Sequence, residues 1–424
     1  MAEVNLSTYL SSQAVLTSSE DKLVYLQTEV FPGPEIGHAP MALNLAIVLD
    51  KSGSMYAANK LDNVIQAVSH VVDQLRPCDL CSIIAFADKA RVLIPSSQIY
   101  DKESARQMVR RIDQVNVGSG TNMLCALEAA VFEVRKSFAR DRLNHIIVLT
   151  DGQTLNEEEC LQKSVMATEE GISVSTIGVG DDFNEKFLLS IANSCRGTSY
   201  YIDRPSDISE IFARELKGVQ SVVVRNPELR LKLYSDVQVR HAYRVKPLIH
   251  DLGMPPTVDR VCTVKLDDLQ KEEVQSMLFE LVLPSRRTGT YRIAQVSLAY
   301  SLPGQTEQAV TSTSDVTITY TDDVAQASVV TPKVMQVIDA VSVFRQQTRA
   351  LQLAEVGDSA KATQLLRSAA TQLLQQGQKE LADQALSEAT RIEMGGRATS
   401  AGTKKLEYGT RKLTQLLDGL PPME

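Results

Sequence analysis

From Leu43 onward, short apolar runs alternate with longer amphipathic segments, and no other feature of the 424-residue chain constrains its fold as much. Residues 43–49, 81–86, 145–150, 172–178 and 199–202 have the length and composition of strands. Between them lie helical patterns. In residues 61–72 apolar side chains recur at spacings of three and four, and residues 123–138 do the same. Asn156-Glu157-Glu158-Glu159 places carboxylates where a helix begins, the end at which the helix dipole favours them. Strand followed by helix, repeated, predicts a parallel sheet with helices on both faces: a doubly wound, Rossmann-like α/β domain over residues 43–217.

The flanking sequence has a different rhythm. Residues 22–30 are strand-forming, and Phe31-Pro32-Gly33-Pro34 ends the run. After residue 218 come short strands at 221–224, 228–234, 261–266, 277–283, 292–300 and 315–320, separated by Pro, Gly and Asp turns. That pattern predicts an all-β sandwich over 218–330, completed by strands from residues 1–42, with the α/β domain inserted between. An independent N-terminal arm is the alternative. Residues 331–424 read as helical, with Gly357-Asp358 and Gly377-Gln378 as turns. Residues 395–403 read as a small-residue linker before a last helical stretch at 405–417.

Composition narrows the function. The 44 basic and 52 acidic side chains leave a formal charge of −8, which disfavours non-specific binding to nucleic acid or anionic membrane. Uninterrupted apolar runs reach only about five residues, where a membrane span needs roughly 20. Residues 1–5 show no basic segment followed by an apolar one, and six scattered cysteines are too few for a disulfide framework. The expectation is a cytoplasmic protein. Cys78-Asp79-Leu80-Cys81 has C-x-x-C spacing, but no second pair follows and Cys81 opens a strand, so a buried structural cysteine is expected there.

Chemistry concentrates at the carboxyl ends of the predicted strands. The first runs into Asp50-Lys51-Ser52-Gly53-Ser54, a D-x-S-x-S motif at the position where open α/β sheets bind ligands. Gly118-Ser119-Gly120-Thr121-Asn122 opens the helix from Met123, and the strand at 145–150 ends in Asp151-Gly152. Asp-x-Ser loops also serve as turns and helix caps, because their oxygens satisfy free backbone N–H groups. Hydroxyls and carboxylates without His or Cys suit a hard divalent cation such as Mg²⁺.

This set of motifs, in this order, resembles a von Willebrand factor A (VWA) domain with a metal-ion-dependent adhesion site. The match extends through Asp79, Thr150 and Thr176-Ile177-Gly178-Val179-Gly180. The resemblance implies a metal site in which the hydroxyls of Ser52, Ser54 and Thr121 are ligands, and Asp50 and Asp151 bind directly or through water. It implies Mg²⁺, with Ca²⁺ or Mn²⁺ as alternatives, and a protein partner whose Asp or Glu completes the coordination. Set within β-structure and followed by helices, the domain resembles a group of bacterial VWA proteins and the architecture of inter-α-trypsin-inhibitor heavy chains.

Catalysis is not expected. There is no G-x-x-x-x-G-K-[ST] loop, no H-E-x-x-H and no G-x-S-x-G elbow, and the five histidines form no local cluster. The expected function is metal-dependent protein binding. The alternative is an accessory or adaptor subunit of an AAA+ ATPase or another multi-protein effector. A hydrolase using the metal to activate water is a weaker third, because no candidate base accompanies the motif.

Overall fold

A computed structural model of the chain describes residues 4–34, 36, 41–302, 309–310, 313–395 and 397–419. The chain divides into two units: His38–Val222, and Met1–Gly37 together with Val223–Glu424.

Strands β1 (Val4–Leu10), β2 (Ala14–Leu16) and β3 (Lys22–Pro32) come first. The α/β unit follows with β4 (Ala42–Asp50), α1 (Lys60–Gln74), β5 (Leu80–Phe86), β6 (Ala90–Gln98), α2 (Lys102–Arg110) and α3 (Met123–Lys136). It continues through β7 (Arg142–Thr150), α4 (Glu157–Glu169), β8 (Ile172–Val179), α5 (Glu185–Ser194), β9 (Ser199–Ile202) and α6 (Ile208–Gln220). The sheet order is β6-β5-β4-β7-β8-β9, parallel throughout except for β6.

Both faces of this sheet are covered. Leu45, Ile47 and Leu49 of β4 pack with Leu61, Val64 and Val68 of α1 and with Phe212 and Leu216 of α6. Ala46 and Val48 point the other way, toward Met123 and Leu127 of α3, Cys160 of α4 and Leu188 of α5. A strand buried on two faces is apolar wherever no hydrogen bond satisfies a polar group, which is why residues 45–49 of β4 read as a continuous run instead of an alternation. Each fully buried Leu or Ile here contributes about 1.5–3 kcal/mol relative to exposure. Strand β4 has β5 on one side and β7 on the other, so the winding direction reverses at β4. The crevice at its carboxyl end, where Asp50 lies, is the topological switch point.

The second unit contains β1–β3 and ten later strands: β10 (Val222–Leu233), β11 (Gln238–Lys246), β12 (His250–Gly253), β13 (Thr257–Val258), β14 (Val261–Lys265), β15 (Leu269–Gln270), β16 (Gln275–Leu283), β17 (Gly289–Ser301), β18 (Ala309–Val310) and β19 (Ser314–Thr321). One antiparallel sheet has the order β1-β3-β16-β11-β12. The other has the order β13-β14-β10-β17-β19-β2, with β2 parallel to β19. The N-terminal strands therefore pair with strands that follow the α/β unit, which is an insertion between them. Val24, Leu26 and Val30 from the first sheet share one apolar cluster with Leu229, Leu231 and Leu298 from the second. Helices α7 (Val324–Ala327), α8 (Pro332–Glu355), α9 (Ser359–Gln375), α10 (Lys379–Glu393) and α11 (Ser400–Arg411) complete the chain. Tyr243, Val245 and Leu278 join Phe344, Leu366 and Leu373 of these helices in a separate cluster, while Ala242 and Phe279 face the inter-sheet core. Among the described residues no helix is long and apolar enough to cross a membrane.

Three details differ from the sequence reading. Residues 221–224 and 228–234 belong to one strand, β10, whose register shifts between Arg225 and Glu228. Asn226, with φ 51°, and Pro227 form that bulge, and the Asn226 amide donates to Asp268 at 2.9 Å. The stretch 395–403 is not linker throughout: α11 starts at Ser400, with the Thr399 hydroxyl capping it by accepting from the Gly402 amide at 3.0 Å. Strands β6 and β11 carried too many polar residues to be read as strands.

Candidate metal centre

Strand β4 delivers Asp50 fully buried into the switch-point crevice. Its Oδ1 accepts from the Ser52 amide at 2.7 Å, and its Oδ2 accepts from the Thr150 hydroxyl at 2.6 Å. The Lys51 amide donates to the Phe86 carbonyl at 2.8 Å, which fixes where the chain leaves the sheet. Beyond that turn the Ser52 and Ser54 hydroxyls lie 3.0 Å apart. Asp151, carried by the end of β7, accepts at Oδ1 from Ser54 at 2.7 Å and from Ser52 at 3.4 Å.

Ser52 Oγ, Ser54 Oγ and Asp151 Oδ1 thus form a triangle with sides of 2.7–3.4 Å. Six oxygens around Mg²⁺ at about 2.1 Å have neighbouring vertices about 3 Å apart. The triangle has the dimensions of one octahedral face, and its donors are the hard oxygens such an ion takes. The residues present therefore fit a small divalent cation.

Thr121 reaches the same turn from another loop. Its hydroxyl lies beside Gly152, where an added Cβ would come within 3.2 Å of it. Thr121 makes no direct hydrogen bond to the other four residues among those described. Its loop is held by groups that spacing alone did not reveal. Asp88 accepts from the Ser119 amide at 2.9 Å, and a Cβ on Gly118 or Gly120 would come 2.0 or 2.3 Å from its carboxylate oxygens. The Thr154 hydroxyl donates to the Thr121 carbonyl at 2.9 Å and accepts from the Met123 amide at 3.0 Å. The Gly53 amide donates to the Ser119 carbonyl at 3.2 Å, tying this loop to the serine turn.

Burial pushes the Asp50 carboxyl up to about 6, against the pull of the Thr150 and Ser52 hydrogen bonds, and the neighbouring Asp151 charge adds to the rise. The site is short of positive charge around Asp50. The one described ion pair here is on Asp151, whose Oδ2 lies 2.7 Å from the Lys60 ammonium. Lys60 was missed in the sequence; its signal is its place as the first residue of α1, ten positions after Asp50.

Other titratable groups lie elsewhere. His145 pairs with Ser173 at 2.6 Å and with buried Glu215 at 3.0 Å, and Glu215 also accepts from Tyr200 at 2.8 Å. His70 projects from α1 into solvent. Cys78 is exposed and Cys81 buried, both as free thiols, and burial pushes Cys81 up to about 12. Asp79 braces the start of β4 by accepting from the Leu43 amide at 2.9 Å, and it pairs with Arg76 at 2.8 Å. Among the described residues no three His, Cys, Asp or Glu side chains converge, so a cation here would depend on hydroxyl donors.

Comparison with known proteins adds to this geometry. The family model for the von Willebrand factor type A domain matches residues 44–214, and that for the Sll0103-like, C-terminal alpha-helical domain matches residues 332–416. The uncharacterized protein sll0103 of Synechocystis is 29% identical over 314 residues, 72% of each chain. The uncharacterized protein YfbK of Escherichia coli is 26% identical over 196 residues, and there the match spans 45% of this chain but only 34% of YfbK. A von Willebrand factor type A protein from Catenulispora acidiphila superposes with a TM-score of 0.77 at 17% identity, covering 96% of both chains. At that identity the likeness speaks for the fold.

Proposed function

We propose that this chain, which carries a VWA domain in its His38–Val222 unit, is a divalent-cation-dependent protein-binding module. VWA domains generally mediate protein–protein interaction, often through a metal. The observation that carries the reading is the triangle of Ser52 Oγ, Ser54 Oγ and Asp151 Oδ1 with its 2.7–3.4 Å sides. Ser52, Ser54 and Thr121 would hold the ion through hydroxyls, and Asp50 and Asp151 directly or through water. The ion, Mg²⁺ first and Mn²⁺ or Ca²⁺ after it, would supply a Lewis-acidic position open to an incoming carboxylate. Asp50 orients the Ser52 turn through its backbone hydrogen bond, and Thr150 holds Asp50 in place. The partner would contribute an Asp or Glu.

Binding is favoured over turnover by what surrounds the serines. The described hydrogen bonds of the two hydroxyls run only to each other and to Asp151, whose carboxylate is already paired with Lys60, so no histidine base stands among their partners. The six free thiols suit a reducing compartment such as the cytoplasm. No described contact favours the ATPase-adaptor alternative.

The test is retention of partners from native lysate by the full chain in Mg²⁺, in EDTA, and as Asp50→Ala in Mg²⁺. A partner held by metal-loaded wild type and released in the other two supports the reading. Equal retention in all three contradicts it and moves the binding surface elsewhere.

A further inference from the structure

We propose that Lys60 is a tethered counter-ion of this centre, one that weakens the hold on a cation alone and makes tight loading depend on an anionic ligand. The proposal rests on the metal reading above and names how that site would be regulated.

Three observations carry it. The Lys60 ammonium lies 2.7 Å from Asp151 Oδ2, with side-chain exposures of 12% and 0% for the two partners. Lysine is rarely buried to this degree unless paired, and Asp151 is its described partner. The backbone is shaped to bring it inward. The 3-10 segment Gly53–Asn59 is broken at Ala57 and Ala58, and both Ala58 (φ 53°) and Asn59 (φ 56°) adopt the left-handed conformation just before Lys60. Non-glycine residues take that conformation at a cost, so two in succession mark a position fixed by its surroundings. Gly180 lies beside the ammonium: a Cβ there would come into van der Waals contact with Lys60 Nζ at 3.4 Å.

The charges set the consequence. The ammonium engages Asp151 Oδ2, while Oδ1 faces the serines. Asp50, Asp151 and Lys60 together carry −1, so a divalent ion raises the cluster to +1. If the ammonium stays, it repels the ion; if it leaves, it loses its buried partner. On either route the ion alone binds less tightly than it would without Lys60. A carboxylate from outside returns the cluster to neutrality. Linkage then requires each ligand to tighten the other by the same factor. The site would load with ion and acidic partner together and empty when the partner leaves.

The experiment is calorimetric titration of Mg²⁺ into the full chain at neutral pH, with and without acetate, for wild type, Lys60→Gln and Lys60→Arg. Lys60→Gln is expected to bind Mg²⁺ at least about tenfold more tightly than wild type, given the size of charge interactions at this range. Acetate is expected to tighten Mg²⁺ binding in wild type and Lys60→Arg by a larger factor than in Lys60→Gln. Lys60→Met, which keeps the buried stem, replaces Lys60→Gln if that variant does not fold. A merely structural lysine would give the opposite sign, with weaker Mg²⁺ binding on its removal. Equal or weaker binding by the neutral variants overturns the proposal and leaves the metal reading standing, as does a wild type indifferent to acetate. No Mg²⁺ binding by any of the variants overturns both.

Discussion

Thr150 shows how much of the centre depends on residues that are not candidate ligands. It gives Asp50 Oδ2 a 2.6 Å hydrogen bond inside a fully buried pocket. Thr150→Val keeps the shape and removes the donor, so the carboxylate loses a partner where no water replaces it. The expected loss is about 1–3 kcal/mol of unfolding free energy, read by urea denaturation in EDTA. An unchanged midpoint and slope would show that the hydroxyl contributes nothing. In the other unit, His250 is held neutral. Burial, then the charges of Arg244 and Arg411, lower it to about 3, against a smaller opposing effect of Asp251. In the unfolded chain it titrates near 6.5. The native state then binds fewer protons than the unfolded state between those values, so stability is full above about 6.5, falls as pH drops, and levels off near 3. The ring keeps part of its surface in water, so the loss is of order 1–2 kcal/mol, below the full value of the shift. Thermal melts from pH 7 to 4 should show a shallower decline in His250→Asn than in wild type; parallel declines would contradict this. At this scale the sequence showed Asp50, Ser52, Ser54, Thr121 and Asp151, because each sits where a strand ends or a helix begins. Lys60, Asp88 and Thr154 were not legible, and Thr150 was read as part of the motif without its bond to Asp50, because these roles lie in contacts between distant segments that local spacing does not encode.

Among the elements, α11 makes the sharpest case for context over propensity. Gly402 lies inside a helix, where Ala is ordinarily better by about 1 kcal/mol. Here a Cβ would come 2.0 Å from Glu388 Oε1 and 2.6 Å from the capping Thr399 hydroxyl. Glu388 is buried and accepts from the Thr399 amide at 2.8 Å and its hydroxyl at 2.6 Å. Gly402→Ala is therefore expected to destabilise by about 1–3 kcal/mol in thermal or urea unfolding, through displacement of a buried carboxylate; a stabilised variant would show that the Glu388 side chain simply moves aside. The same cap explains part of why residues 395–403 looked like linker: Gly402, a small residue that signals a loop, is here required by close packing. The central strands β4, β5, β7 and β8 were legible because burial on both faces writes itself as an apolar run, and edge strand β9 because Tyr200-Tyr201-Ile202 is strand-forming. Edge strand β6, with Pro95 and mixed exposure, carries no such mark. β10 was split in the reading because Asn226-Pro227 is a loop signal, and only the pairing with β14 and β17 shows that the strand continues past it.

At the scale of the molecule, the two units keep separate cores, and the helices α8–α11 close a cluster begun by the sheet. A chain ending at residue 331 would leave Tyr243, Val245, Ile249 and Leu278 without their helical cover. Such a truncation is expected to bind a hydrophobic dye and to aggregate on concentration, and a monodisperse product that binds no dye would contradict that role for the helices. The inserted arrangement was legible in the change of rhythm at Leu43 and again after residue 218, since a strand–helix repeat and a run of turn-separated strands require different packing. That residues 1–42 complete the later β-structure was inferred from composition alone; the pairing of β3 with β16 and its register depend on contacts that no local signal carries. The central claim, that Asp50, Ser52, Ser54, Thr121 and Asp151 form a cation site, is tested most directly by calorimetric titration of Mg²⁺, in acetate as the stand-in for an acidic partner, into metal-stripped full chain and Asp151→Ala, with circular dichroism to verify the fold. The account expects one Mg²⁺ per wild-type chain and none in a folded Asp151→Ala; no binding by wild type, or the same affinity in both, would contradict it.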